Sequence, residues 1–150
     1  MPLIAIILNL LWILTGGIWM AIFWLIAGLV MIVTIIGIPW AGAAFRNAWY
    51  TLLPFGHTVV DREAYTGRPS LGETPLGVLG NLVWLLLAGW WLALFHVVTA
   101  IPLALSLIGL PFAWAHLKLA GLALWPLGKM VVRVEEADRL RYGPWRHGVL

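Results

Sequence analysis

Residues Asn81–Gly128 read NLVWLLLAGWWLALFHVVTAIPLALSLIGLPFAWAHLKLAGLALWPLG. The segment contains one cation, Lys118, and no acid. From Gly77 to Leu117 there is no charged side chain, and from Met1 to Ala44 there is none either. Each stretch is about twice the roughly 20 residues a helix needs to cross a bilayer. The whole chain is 63% hydrophobic and 10% charged over 150 residues. Soluble domains carry about 25% charge. So few charges cannot cover a soluble surface, which leaves lipid as the solvent for the apolar surface. A secretory signal would need a basic flank and a short apolar core. No Lys or Arg precedes the first apolar run, so that run is read as retained membrane structure. The chain has no cysteine, which excludes disulfides and thiolate chemistry.

The same segment occurs twice. Asn9–Val60 lies over Asn81–Val132 without a gap, at an offset of 72, with about 19 of the 52 pairs identical. Asn9 matches Asn81, Trp12 matches Trp84, and Trp19 matches Trp91. Gly37-Ile38-Pro39 matches Gly109-Leu110-Pro111, and Arg46 matches Lys118. Pro54 and Gly56 match Pro126 and Gly128. Shared apolar composition does not align Asn, Trp, Gly, Pro and a cation in register, so the chain is a tandem duplication.

The paired pattern N-x-x-W, G-[IL]-P and P-[FL]-G, and above all the second copy, resembles the YccF family of bacterial inner-membrane proteins, which carry two copies of an inner membrane component domain. The likeness covers about residues 5–135. It implies the bacterial inner membrane and a doubled architecture, and it brings no catalytic residues to carry over.

The pattern predicts an all-α integral membrane protein of two repeats. The first is 1–60, followed by a polar linker 61–80, a second repeat 81–132 and a basic tail 133–150. Each repeat is expected to be either a helical hairpin or one long helix plus an interfacial helix after the Gly-x-Pro break, since proline cannot continue the helix ladder. A hairpin would turn near Trp24–Gly28 and His96–Pro102. Thr58–Val60 and Val131–Val134 each follow a Pro-x-Gly turn and could pair as short strands outside the membrane. Glu135–Arg141 reads as a short polar helix ended by Gly143-Pro144. Arg46, Arg62 and Arg68 flank one side of the repeats, and the tail carries more cations, including Arg133, Arg139, Arg141 and Arg146. Basic segments collect on the cytoplasmic side. The C-terminus is therefore expected in the cytoplasm, and two hairpins would place all ends there.

Candidate functional residues are few. Arg46 and Lys118 are repeat-related cations near helix ends. Such cations usually snorkel to headgroups, but around an oligomer axis they would favour anions. Asn9 and Asn81 are polar positions in apolar helix that either bond a neighbouring helix or line a polar path. His96 stands where the first repeat has Trp24, and either a bonded core histidine or a proton-sensitive group fits. Gly37, Pro39, Gly109 and Pro111 mark the helix breaks. The tryptophans cluster toward span ends, including Trp12, Trp19, Trp84, Trp90 and Trp91, as aromatic belts do.

No intramembrane acid, phosphate loop, metal spacing or cofactor fingerprint is present, so no enzyme chemistry, metal or cofactor is expected. The basic patch lies beside membrane segments, which favours lipid headgroups over nucleic acid. Small residues such as Gly16, Gly17, Gly28 and Ala41 suit close helix packing and point to a homo-oligomer. Two functional readings follow. The first is an oligomeric pore or transport component that prefers anions. The alternative is a structural or accessory subunit that binds another membrane protein or anionic lipid through its basic tail.

Overall fold

The computed structural model describes residues 3–142. Two helices dominate it: α1, Leu3–Val33, and its repeat mate, called α4 below, Pro75–Ala104. At 1.5 Å per residue they are about 46 and 45 Å long. Each contains one π turn at the same repeat position, Ile13–Gly17 and Leu85–Gly89. In α1 this turn is a kink, with Gly16 at φ 142°. Neither helix contains a charge.

Each long helix stops where a hydroxyl turns back on it. Thr34 Oγ1 donates to the Met31 carbonyl at 2.9 Å, and Ser106 Oγ donates to the Leu103 carbonyl at 3.4 Å. The chain restarts at the Gly-x-Pro step, whose proline suits the first turn of a new helix. Helix α2, Ile38–Leu52, then returns along α1. After it come strand β1, His57–Asp61, a one-turn helix α3, Arg62–Thr66, and a 3₁₀ turn at Leu71–Glu73. Helix α4 starts under a Thr74 cap that accepts from Gly77 N–H at 3.2 Å. Helix α5, Leu110–Leu124, returns along α4 and leads to β2, Lys129–Arg133, and α6, Val134–Tyr142. The expected helix stop at Gly143-Pro144, and the tail beyond it, lie outside the described residues.

Each repeat is therefore one long helix broken at Gly-x-Pro, as the second alternative expected, with the shorter helix folding back as a hairpin. The turn expected for the hairpin alternative is not where it was placed. Trp24–Gly28 and His96–Pro102 lie inside helix. Gly28 serves packing instead: a Cβ there would lie 2.8 Å from the Phe45 ring on α2. Pro102 costs one ladder bond just before α4 ends anyway. The turns are the Gly-x-Pro breaks, so a long helix and a shorter returning helix coexist in each repeat.

After α2 and α5 the chain reverses sharply. His57 N–H donates to the Pro54 carbonyl and Lys129 N–H to the Pro126 carbonyl. Gly56 and Gly128 hold φ of 88° and 89°, which a β-carbon would resist. The expected strands form, one residue longer on each side for the first (His57–Asp61) and shifted to Lys129–Arg133 for the second, and pair antiparallel. Val59 faces Val131, its own repeat mate at the offset of 72. A residue that meets its own mate lies on the symmetry axis, so a pseudo-twofold passes through the centre of the sheet.

The helix layer obeys the same axis. Trp24 meets its mate His96, with Nε1 to Nε2 at 3.3 Å. Phe55 at the base of the first hairpin touches Phe112 near the tip of the second, with centroids 5.6 Å apart. Trp40 near the first tip crowds Gly80 at the base of the second hairpin. The two hairpins are thus antiparallel. Each strand runs back past the helices instead of away from them: Arg62 N–H, just after β1, bonds the Gly128 carbonyl at 2.8 Å, and Val134 N–H, just after β2, bonds the Gly56 carbonyl at 3.2 Å.

The core between the hairpins is aromatic and alanine-rich. Trp12, Trp24, Trp84, Met31, Leu92 and Leu119 are fully buried there. The first tip carries a local strain, with Ile35 at φ 60°. A β-branched residue in the left-handed region is disfavoured by about 1–2 kcal/mol. Ile35 is also exposed, so little packing opposes its replacement. Ile35→Gly is expected to raise the melting temperature of the purified protein. An unchanged or lower melting temperature would show that the turn is not strained.

Candidate functional site

Asn9 and Asn81 are both buried, and each grips a turn of its own repeat. Asn9 Nδ2 donates to the Phe55 carbonyl and Asn9 Oδ1 accepts from Phe55 N–H, both at 3.0 Å. Asn81 does the same to Leu127, at 3.3 and 3.0 Å. One turn further along, Trp12 Nε1 donates to the Thr51 carbonyl at 2.7 Å and Trp84 Nε1 to the Ala123 carbonyl at 2.6 Å. These indoles satisfy carbonyls left free at the ends of α2 and α5. Trp12 and Trp84 are therefore buried clamps, not members of an interfacial belt as their sequence position had indicated. Trp19, Trp49, Trp90 and Trp114 do remain on the exterior.

His96 lies at the centre of the helix layer. Its Nε2 accepts from Trp24 Nε1, an obligate donor, so its own proton sits on Nδ1. That Nδ1 faces His116 Nδ1 at 3.0 Å, which must then accept. The His116 ring also rests on Trp12, with centroids 4.4 Å apart. The two histidines are 20 residues apart, too far to meet on one helix. They meet because α5 folds back on α4.

Arg46 and Lys118 do not meet. Each sits in its own cleft between a short helix and the sheet, and the pseudo-twofold relates the two clefts. The first is about 680 Å³ and is lined by Arg46 with Lys129, Met130 and Val131. The second is about 620 Å³ and is lined by Lys118 with the mates of those strand residues, His57, Thr58 and Val59. Their chemistry differs. Asp138 and Tyr65 reach the second cleft, placing a carboxylate near Lys118. The first also receives Arg62 and Asn47, while His57 lines both clefts. Lys129 forms an ion pair with Asp61, while Arg46 and Arg62 have no ion pair among the described residues. Gly37, Pro39, Gly109 and Pro111 stand at the hairpin turns, away from both clefts.

Sequence reasoning missed the Asn47, His57 and Arg62 group. One signal was available. Asn47 is polar where the second repeat has Leu119, which is fully buried. A packing position does not need an amide there.

Polar and apolar surfaces are segregated. The outer faces of α1 and α4 expose Leu, Ile, Val and Trp along their length, and the hairpin tips expose Ile35, Ile36, Leu107 and Ile108. The charged side chains of the described residues belong to the sheet, its flanking segments, and Arg46 and Lys118. Two outward-facing helices apolar and long enough to cross a membrane, with a doubled hairpin fold, are the class of architecture the chain presents. The model of the inner membrane component domain matches this chain twice, at residues 7–57 and 79–129. The chain belongs to the YccF family of inner-membrane proteins. It is 38% identical over 137 residues to inner membrane protein YccF of Escherichia coli strain K12, covering 90% of this chain and 92% of that one. The protein of the same name from Shigella flexneri matches to the same extent. No solved structure matches the chain.

The two asparagine grips are expected to carry much of the hairpin geometry. Asn81→Leu removes both bonds and leaves the Leu127 N–H and C=O without that partner. A buried unsatisfied group costs about 1–3 kcal/mol. The variant should melt well below the parent in the same detergent, and an equal melting temperature would show that the turn holds without the amide.

Proposed function

We propose that copies of this chain assemble in the inner membrane around a shared aqueous path that favours small anions, with the C-terminal segment on the cytoplasmic side. The observation that carries this reading is the sheet lying alongside helices long enough to span the bilayer. A two-stranded sheet has two open edges. Unpaired backbone at membrane depth is tolerated only when it is buried in protein or faces a water-filled space. If α1 and α4 cross the bilayer with some tilt, the sheet side must face water, and a single chain does not enclose it. Several copies with their sheets turned inward would, leaving the apolar outer faces of α1 and α4 to lipid.

Anion preference rests on charge placement. Among the charged residues, only Arg46 and Lys118 lie on α2 or α5, and both are exposed on the cleft side. Rings of basic side chains favour anions in pores. The reading involves no covalent chemistry, metal or cofactor.

A second reading is favoured by the hairpin tips. Ile35, Ile36, Leu107 and Ile108 are 69–87% exposed, and no charge accompanies them. Tips of this kind also suit a chain seated in one leaflet, with the sheet on the cytoplasmic surface and the axis along the membrane normal. The protein would then act as an accessory or lipid-binding subunit.

Intact-complex mass measurement in native-like lipid separates the two, since only a closed ring supports the path. Reconstituted vesicles then test the path itself. Arg46→Gln combined with Lys118→Gln is expected to lower chloride flux about tenfold while leaving the oligomer intact. Unchanged flux, or no flux from the parent ring, overturns the anion path.

A further inference from the structure

We infer that the first cleft, between α2 and β2, is a binding site for an acidic amphiphile: the phosphate headgroup and proximal acyl chain of an anionic phospholipid. This does not depend on the conducting path; it requires only that the chain sits in a membrane.

The polar wall of the cleft is made of donors. Arg46 and Arg62 bring two guanidiniums from different elements, and neither is neutralised by a carboxylate among the described residues. Lys129 adds a third cation, shared with Asp61. Guanidiniums suit phosphate because their planar fork can donate two parallel hydrogen bonds.

Two buried polar atoms here lack a partner. Asn47 is 6% exposed, and its Nδ2 makes no hydrogen bond. His57 Nδ1, in the strand wall shared by both clefts, is likewise buried and unbonded. Buried amide donors without partners are rare, and each calls for an explanation. Packing does not supply one for Asn47, because its repeat mate is the fully buried Leu119. The clefts are related by symmetry, yet the unpartnered amide, the second guanidinium and the lack of a facing carboxylate on Arg46 occur together only in the first. A headgroup oxygen would satisfy Asn47 Nδ2.

The remaining wall is apolar. Trp49, Leu53 and Leu122 line it. A free inorganic anion would gain nothing from that wall, whereas an acyl chain would be removed from water or from headgroup contact. The volume of about 680 Å³ falls in the range of roughly 300–1,000 Å³ usual for ligand sites. It admits a headgroup and the first part of a chain, with the rest left to the bilayer.

The test is a titration of the purified full chain in neutral detergent, read by native mass spectrometry. The probes are phosphatidylglycerol, phosphatidylcholine and inorganic phosphate. One phosphatidylglycerol should be retained per chain, while phosphatidylcholine and inorganic phosphate bind at least about tenfold more weakly. Arg62→Gln and Asn47→Leu should each weaken phosphatidylglycerol binding about tenfold, and Arg62→Lys should retain most of it. Arg133→Gln, an exposed cation outside the cleft, should change nothing. Arg62 is exposed on a short helix, so its variants keep the test valid even if Asn47→Leu melts early. Parent-like binding by Arg62→Gln overturns the proposal. So does an equal loss in Arg133→Gln, which would mean diffuse charge, or equal retention of phosphatidylcholine. Inorganic phosphate binding as tightly as the lipid would overturn the amphiphile and leave only an anion site.

Discussion

The structure depends on a pair of reciprocal hydrogen bonds made twice. Asn9 holds both backbone groups of Phe55, and Asn81 holds both of Leu127. Between apolar helices there is no hydrophobic drive to choose one packing over another in lipid. A side-chain amide that meets the N–H and C=O of one residue supplies that choice, because a slip in register breaks both bonds at once. The Trp12 and Trp84 indoles repeat the selection one turn along. Together they set how far each short helix returns along its long partner, and hence where the Pro-x-Gly reversal falls.

The reversal decides the rest. Because the chain doubles back after each short helix, β1 and β2 lie beside the helix layer and not beyond its ends. The pseudo-twofold through Val59–Val131 and Trp24–His96 makes the hairpins antiparallel. The same symmetry produces two clefts, and divergence between the repeats makes them unlike. One receives Asp138, and the other gathers Arg46, Arg62 and unbonded Asn47. Duplication supplies the frame, and the departures from it mark where function is to be sought.

How much was legible depends on the range of the interaction. The helix breaks at Gly37–Pro39 and Gly109–Pro111 follow from local backbone chemistry, so the sequence marks them. The direction of the chain after a break is set by contacts such as Gly28 against Phe45, so the break was marked but the return of the short helix was not, and the hairpin alternative put the turns several residues too early. The strands were marked by β-branched residues after turn signals, and their pairing survived with small shifts in bounds. The His96–His116 contact was not legible, since it joins two helices across a turn. The Arg46, Asn47, His57 and Arg62 group joins α2, β1 and α3, and no spacing rule links those positions.

What the sequence determined by itself is the duplication, the two charge-free runs and the breaks within them, while the family entered as a resemblance of its motifs. The first three are periodic, compositional or local, and such signals need no partner elsewhere in the chain. Only the tertiary structure decided that the repeats lie antiparallel, that the sheet flanks the helices, and that Arg46 and Lys118 occupy separate clefts. Those outcomes come from side chains meeting backbone far away in sequence, with Asn9 reaching Phe55 and Asn81 reaching Leu127. The physical reason is that lipid makes apolar packing permissive, so a few long-range hydrogen bonds select the fold.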